Sequence, residues 1–340
     1  MSGNATQRYA NTAALSVCGV DAPHVVTSAE FDERLAATYR RVGLRPGLLE
    51  NLAGITERRW WPRDVGFADA AAMAGAKALA EAGVDPAQVG LLVDTSVSRA
   101  HLEPSAACAV HNALGLPSTC MNFDVANACL GFLNGMQLAA MMIDAGRIEY
   151  ALVVDGEGAR ELHENTLRRL SGTDATREDV LTQFATLTLG SGAAAMVLGR
   201  ADAHPEGHRL VGSVLRAATE HHELCVGDLN AMTTDAKGLL DAGMAISGAM
   251  WRDAKAEFDW GHMDRYIAHQ VSQVHTAAMC RTLDIESDRV PRSFPTRGNM
   301  GPASIPFTLA TQVDSLQTGD RVLLMGVGSG LNGCCTELAW

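Results

Sequence analysis

The stretch Phe123–Phe132, FDVANACLGF, predicts a β-strand that ends in Asn-Ala-Cys and runs directly into an apolar helix. Cys129 is therefore expected at a helix N-terminus, where unpaired backbone N–H groups and the helix dipole favour a negative charge. The thiolate is the nucleophilic form of cysteine, and such a position is expected to lower the pKa of the thiol. A free cysteine is also often a buried packing residue, so Cys129 alone leaves both interpretations open.

Two later segments carry polar side chains at comparable places. Tyr266–Gln270 predicts a short apolar strand that ends at His269, and Gly298–Ser304 places Asn299 at the start of another helix. A thiolate attacks a thioester carbonyl, while imidazole and amide donors stabilise the oxyanion that develops. Each residue also has a structural interpretation, His269 as a core histidine and Asn299 as a helix cap. Together the three favour a single acyl-thioester site.

Several motifs resemble those of a known family. The segments NACLGFLNG (127–135), HQVS (269–272) and GNMGPAS (298–304) are similar to the thiolase-superfamily condensing enzymes of the ketoacyl synthase III type. The resemblance extends along nearly the whole chain, through GITERRWW, DTSVSR, EPSAA, LTLGSGAAAMVL and GVGSGLNG. Within the family, SVSRAHLEPS (96–105) and VVDGE (153–157) are most similar to the OleA type, which joins two fatty acyl-CoA molecules head to head.

Composition agrees with a large globular enzyme. The 340 residues exceed one typical core, and the net charge of −12 argues against nucleic-acid binding. The cysteines form no regular framework, and the polar segment Met1–Ala10 lacks the order of charges and apolar residues of an export signal. No apolar run has membrane-spanning length. We therefore expect a cytoplasmic protein with free thiols and no transmembrane segment.

A weak internal repeat organises the chain. The turns Gly190-Ser191-Gly192 and Gly328-Ser329-Gly330 precede the predicted final strand of each half. Alternating strands and helices predict largely parallel sheets covered by helices. The resemblance implies an α/β thiolase fold, five-layered αβαβα and made of two similar halves. We place these halves at 1–205, carrying the cysteine, and 206–340, carrying the histidine and asparagine.

Two motifs invite other functions. Gly326–Gly330 follows a strand but lacks the βαβ unit that a dinucleotide fingerprint requires, so a close-approach turn is the better interpretation. By resemblance, Gly330 supplies an N–H to an oxyanion hole. The segment His221–Cys225, HHELC, matches no zinc spacing, and we predict neither a metal nor a cofactor.

Glu103 separates two condensing reactions. An acidic residue before a helix ordinarily complements the helix dipole. In OleA-type enzymes, however, the matching position is a glutamate that reaches into the partner subunit's active site. In ketoacyl synthase III enzymes that decarboxylate malonyl groups, the matching position is a hydrophobic residue at the dimer interface. A malonyl group makes its carbanion by losing carbon dioxide, whereas a plain acyl-CoA must lose an α-proton to a base. Glu103 is the candidate for that base.

The resemblance therefore implies a non-decarboxylative Claisen condensation of two long-chain acyl-CoAs through an acyl-Cys129 intermediate, as a first step towards an olefin, ketone or β-lactone. We expect a homodimer, or a heterodimer with a homologue, that acts with downstream biosynthetic enzymes. Arg58 and Arg59 are candidates to bind CoA phosphates, and the insertions 156–186 and 225–262 to line two alkyl channels. Two alternatives remain: a decarboxylative 3-oxoacyl synthase III using malonyl-acyl carrier protein, and a supporting subunit of a heterodimeric condensing enzyme.

Overall fold

The computed structural model describes residues 6–255 and 257–340, so the first five residues of the polar segment 1–10 lie outside it. Its strands are β1 (Thr6–Arg8), β2 (Thr12–Asp21), β3 (His24–Thr27), β4 (Glu57–Trp60), β5 (Val89–Asp94), β6 (Met121–Asp124), β7 (Tyr150–Glu157), β8 (Gly192–Arg200), β9 (His208–Ala217), β10 (Cys225–Gly227), β11 (Met232–Thr234), β12 (Arg265–Ala268), β13 (Arg321–Gly328) and β14 (Asn332–Ala339).

The α-helices are α1 (Ser28–Val42), α2 (Phe67–Ala82), α3 (Ala106–Ala113), α4 (Gly131–Asp144), α5 (Arg160–Leu170), α6 (Arg177–Thr182), α7 (Phe184–Leu187), α8 (Ala236–Lys255), α9 (Gln273–Leu283), α10 (Phe294–Arg297) and α11 (Ser304–Ala310). Within the described ranges, no helix combines the length and the apolar character needed to cross a bilayer.

One long sheet runs through the molecule in the order β12-β13-β14-β9-β2-β8-β7-β5-β6, and β1 also pairs with β9. The two halves of this sheet join through β2 and β9, which pair only where Ala13 faces Arg209 and Ala14 faces His208. We propose that the boundary between the halves, at 205/206, lies in the connection from β8 to β9.

The prediction of largely parallel sheets is wrong. Only β5 with β6, β5 with β7 and β12 with β13 pair in parallel among the described strands of the long sheet, while the others pair antiparallel. A tight turn joins β13 to β14, and such a connection permits only antiparallel pairing. The glycine turns do precede β8 and β14, as the repeat predicts.

Alternating side chains produce the five layers. Leu91 and Val93 of β5 pack inward against α4, whereas Leu92 packs outward with the alanines of α2. In the second half, Leu324 of β13 joins the central layer of α4 and α11, while Leu323 faces the outer helices α8 and α9. The order of layers is therefore helix, sheet, helix, sheet, helix, which confirms the predicted thiolase fold.

Candidate active site

Three of the four predicted catalytic residues, Cys129, His269 and Asn299, meet in one cavity of about 880 Å³. Apolar side chains form most of its wall, and the insertions 156–186 and 225–262 both contribute to it, with Leu162 and Ala185 from the first and Leu239, Met244 and Met250 from the second. The polar groups in the wall include Cys129, His269, Asn299, Glu157, His275 and Cys225.

Cys129 lies two residues before α4 begins at Gly131. The turn that presents it requires a positive φ of 45° at Ala128 and is closed by a hydrogen bond from the Leu130 N–H to the Asn127 carbonyl. A side chain at Gly131 would place its Cβ only 2.7 Å from the Thr95 carbonyl oxygen. The glycine thus lets α4 begin against the end of β5, and this contact sets the position of the thiol.

The protonation of Cys129 differs from the expectation. Burial raises the pKa of the thiol to about 12, and the nearby Cys225 and Glu157 act in the same direction. The N-terminus of α4 does not outweigh these effects, so the prediction of a lowered pKa is wrong. The resting group is a thiol, and its proton must leave as the sulfur attacks.

His269 follows the last residue of β12, and its backbone N–H donates to the Met325 carbonyl at 2.8 Å. Burial, and then the neighbouring His275, lower the pKa of His269 to about 3. Its Nδ1 is buried and has no hydrogen-bond partner among the described residues. The imidazole is therefore neutral, with one ring nitrogen able to donate and the other able to accept a proton.

Hydrogen bonds of both the backbone and the side chain fix the position of Asn299. Its N–H donates to the Thr188 carbonyl and its carbonyl accepts from Gly190, both at 2.8 Å. The side-chain Oδ1 accepts the Gly301 N–H at 2.9 Å, so the Nδ2 group remains available to donate into the cavity. Gly190 permits this arrangement, because a Cβ there would come within 1.7 Å of the Arg297 carbonyl oxygen.

The turn between β13 and β14 borders Cys129. A Cβ added to Gly328 would lie 3.3 Å from the Cys129 backbone nitrogen, and Gly328 and Ser329 line the cavity. Gly330, the predicted oxyanion donor, is absent from the cavity wall of the described chain. Gly330 follows these two residues in the same turn, and its role as a backbone donor to an oxyanion stays a prediction.

Glu103 lies outside the cavity of its own chain. His101 and Leu102 line the cavity, whereas Glu103 is exposed at the next position. The Leu102 side chain is also fully exposed. The described chain thus presents Glu103 outward rather than towards its own Cys129.

The predicted CoA-binding arginines have structural contacts instead. Arg58 is 0% exposed, lies over the Phe31 ring at 4.6 Å and donates to the Leu187 carbonyl. A fully buried guanidinium cannot meet phosphates that arrive from solvent, which contradicts its predicted role. Arg59 pairs with Glu57 at 3.0 Å and does not line the cavity. Adjacent strand residues point to opposite faces, and the sequence did not indicate which face was exposed.

Glu157 is the main residue that sequence reasoning missed. It ends β7, is only 7% exposed and lines the cavity. Burial raises its pKa to about 7, although Ser98 and two backbone N–H groups act in the opposite direction. The sequence signal for Glu157 was an acidic residue at the C-terminal end of an apolar strand, because ligands bind at the C-terminal ends of parallel strands.

Comparisons with known proteins agree with this geometry. The family models for the 3-oxoacyl-[acyl-carrier-protein] synthase III and for its C-terminal part match residues 123–219 and 254–340. The acyl-CoA:acyl-CoA alkyltransferase of Xanthomonas campestris is 44% identical over 98% of this chain and 99% of its own. The acyl-CoA:acyl-CoA alkyltransferase of Shewanella oneidensis is 36% identical over 94% of this chain and 96% of its own.

Solved structures give the same result. The cerulenin-bound Xanthomonas OleA superposes with a TM-score of 0.96, 44% identity and 98% coverage of both chains. An OleA variant with bound lauric acid and lauroyl-CoA has the same score and identity, covering 98% of this chain and 100% of the other. The chain therefore belongs to the 3-oxoacyl-[acyl-carrier-protein] synthase III family and, within it, to the OleA group of acyltransferases.

Proposed function

We propose that this protein joins two long-chain fatty acyl-CoA molecules by a non-decarboxylative Claisen condensation. The observation that carries the proposal is the meeting of Cys129, His269 and Asn299 in one largely apolar cavity of about 880 Å³. Such a cavity supplies a nucleophile, two polar groups for an oxyanion and space for alkyl chains.

In the first half-reaction, the Cys129 sulfur attacks the thioester carbonyl of one acyl-CoA. The thiol proton passes to the neutral His269, and the departing CoA thiolate takes it up. Backbone N–H groups of Cys129 and of Gly330, in the adjacent turn, stabilise the tetrahedral oxyanion. The product is an acyl-Cys129 thioester, held in a site from which water is largely excluded.

In the second half-reaction, Glu103 of the partner subunit removes the α-proton of a second acyl-CoA. His269 and Asn299 donate hydrogen bonds to the enolate oxygen that forms. The α-carbon then attacks the acyl-Cys129 carbonyl, and the C–S bond to Cys129 breaks. This yields a 2-alkyl-3-oxoacyl-CoA, whose hydrolysis gives the 2-alkyl-3-oxo acid, a precursor of a long-chain olefin, ketone or β-lactone.

The relatives support this substrate class. Those at 44% and 36% identity are acyl-CoA:acyl-CoA alkyltransferases, and one structure holds lauroyl-CoA. The malonyl-type relatives, β-ketoacyl-[acyl-carrier-protein] synthases III, are 27–29% identical. We propose a homodimer, because the described chain presents Glu103 away from its own cavity.

Mass spectrometry of the products made from a single long-chain acyl-CoA tests the proposal. We expect free CoA and a 2-alkyl-3-oxo acid that contains both acyl chains, without added malonate. Cys129→Ser, under the same conditions, is the control for non-enzymatic products. Condensation that occurs only with malonyl-acyl carrier protein, with release of carbon dioxide, would instead establish the decarboxylative reaction.

A further inference from the structure

The segment Val97–Glu103 leads from the cavity to the surface of the chain. It leaves the end of β5, and Val97–Leu102 line the cavity before Glu103 emerges on the surface. Among the described residues, no protein hydrogen bond holds Ala100–Pro104. The position of Glu103 is therefore set by the attachments at the two ends of the segment.

Two carboxylates provide these attachments. At the start, Glu157 accepts hydrogen bonds from the Val97 N–H at 2.6 Å and from the Ser98 hydroxyl at 2.6 Å, with a longer one from the Ser98 N–H at 3.4 Å. At the far end, Asp124 accepts from the first two N–H groups of α3 at 3.0 and 2.9 Å and lies 3.8 Å from Arg99.

The bonding of Glu157 argues against a direct part in proton transfer. Three donors of the segment occupy most of its acceptor sites, two at Oε1 and one at Oε2, whereas a base must direct a free lone pair at the substrate. The three donors do match an ionised carboxylate, which offers only acceptors. These hydrogen bonds offset the cost of removing the carboxylate from water, and they fix the backbone of the segment.

We infer that Glu157 is a positioning residue that fixes the Val97–Glu103 segment and so places the general base that its own subunit delivers to the neighbouring active site. The inference rests on the proposed function, because it requires Glu103 to act in the partner's cavity. Glu157 then lines one cavity but serves the condensation that takes place in the other.

Glu157→Gln tests the role by separating the two half-reactions. The amide keeps the size of the side chain but removes the charge and one acceptor oxygen. We expect Cys129 acylation to change less than about threefold and condensation to fall on the order of 100-fold, as a base displaced by about 1 Å would cause. Ser98→Ala should act in the same direction more weakly, while Glu161→Gln, an exposed residue in the first turn of α5, should leave both steps unchanged. Normal condensation in Glu157→Gln would overturn the inference.

Mixed dimers show in which subunit Glu157 acts. A Glu157→Gln chain combined with a Cys129→Ala chain has one site with an intact cysteine and a Glu103 segment from the chain with intact Glu157. Condensation should rise well above that of either variant alone. If condensation does not recover, Glu157 acts in the active site of its own subunit, and the inference is wrong.

A parallel mixture tests the proposed function separately. Glu103→Ala combined with Cys129→Ala should also recover condensation. If this pair recovers and the Glu157→Gln pair does not, only the inference about Glu157 fails. If the Glu103→Ala pair does not recover, delivery of the base between subunits fails, and the inference fails with it.

Discussion

At the residue scale, Cys129 is a partly exposed residue of the cavity wall whose sulfur is strongly desolvated. Its thiol pKa is raised to about 12 by burial and by Cys225 and Glu157. The reactive thiolate therefore forms only when substrate and a proton acceptor are both in place. This limits reaction of the free enzyme with other electrophiles, because the thiol form is a weak nucleophile.

Cys129→Ser tests the nucleophile. The fold should persist, since the change is nearly isosteric, while acylation should fall by at least about 10³-fold, because a serine hydroxyl is a far weaker nucleophile. Intact-protein mass spectrometry after incubation with acyl-CoA measures the adduct. Cys225 lines the same cavity, so an adduct on Cys225 in the native protein, with Cys129 unmodified, would contradict the assignment.

His163 makes the stability of the fold depend on pH. Its Nδ1 accepts from the Trp60 indole at 2.9 Å, and its Nε2 donates to the Thr186 carbonyl at 3.0 Å. Burial, and then the charge of Arg58, lower its pKa to about 3. The folded pKa lies below the unfolded value, so its stabilising contribution is complete above about pH 6.5 and is lost as the pH falls towards 3.

We therefore expect His163 to reduce the free energy of unfolding by up to about 1.4 kcal/mol per pH unit below pH 6.5. Glu157, with its raised pKa, has the opposite dependence between its unfolded value and about 7. The native protein should thus be compared with His163→Gln by urea unfolding at several pH values. The deficit of the variant should shrink as the pH is lowered; a constant deficit would contradict the prediction.

The sequence predicted some residues of the candidate site better than others. Cys129, His269 and Asn299 could be located because each lies where a strand or helix begins or ends. Glu157 could not be assigned a role, because its partners in the Val97–Ser98 backbone are remote in sequence. The burial of Arg58 depends on which face of β4 turns inward, and a four-residue strand carries little information about that.

At the element scale, continuous apolar runs predicted strands well and mixed runs did not. The apolar runs in β5, β7, β8 and β13 are buried on both faces, which is the pattern that predicts a strand covered by helices on both sides. The strands β2 and β9 join the two halves, but their sequences TAALSVCGVD and HRLVGSVLRA mix polar and apolar residues and give no clear strand pattern. The segment between Arg289 and Phe294 links a 3-10 turn to α10.

The packing of the first residue of α4 against Thr95 can be tested at this scale. Gly131→Ala should displace the start of α4, because its Cβ would lie 2.7 Å from the Thr95 oxygen. We expect a loss of about 1–3 kcal/mol in stability, as for other overpacked sites, and slower acylation of Cys129. Gly248→Ala is the matched control: it is also helical, but its Cβ would meet nothing nearer than 3.6 Å, so stability should hold or rise by about 0.4–1 kcal/mol. Equal effects of the two changes would contradict the argument.

At the scale of the whole molecule, the exposed groups near Glu103 favour association. Strand β6 lies at the edge of the long sheet, and Met121 on it and Leu102 beside Glu103 are exposed. Unpaired edge strands and exposed apolar side chains commonly mark surfaces of association. These features support the proposed homodimer, in which Glu103 enters the neighbouring cavity.

Glu103→Ala should leave Cys129 acylation largely intact and reduce condensation by roughly two to four orders of magnitude, the range for loss of a general base. Stopped assays with labelled acyl-CoA separate the two steps, and sedimentation checks that the variant remains dimeric. If the variant condensed acyl-CoA at the native rate, Glu103 would only complement the dipole of the following helix. A stable, active monomer would also contradict its proposed role.

The central layer has a consequence for how the molecule folds. Side chains of α4 and α11 share one cluster with β5 of the first half and β13 of the second. Neither half can complete its core alone, because α11 of the second half packs against β2 and β8 of the first, and β13 shares a cluster with α4. A fragment ending at residue 205 should therefore remain molten, with near-ultraviolet circular dichroism lost, and regain fixed packing only when the fragment 206–340 is added. Synthesis of the chain would then yield no native cysteine site until the last strands leave the ribosome.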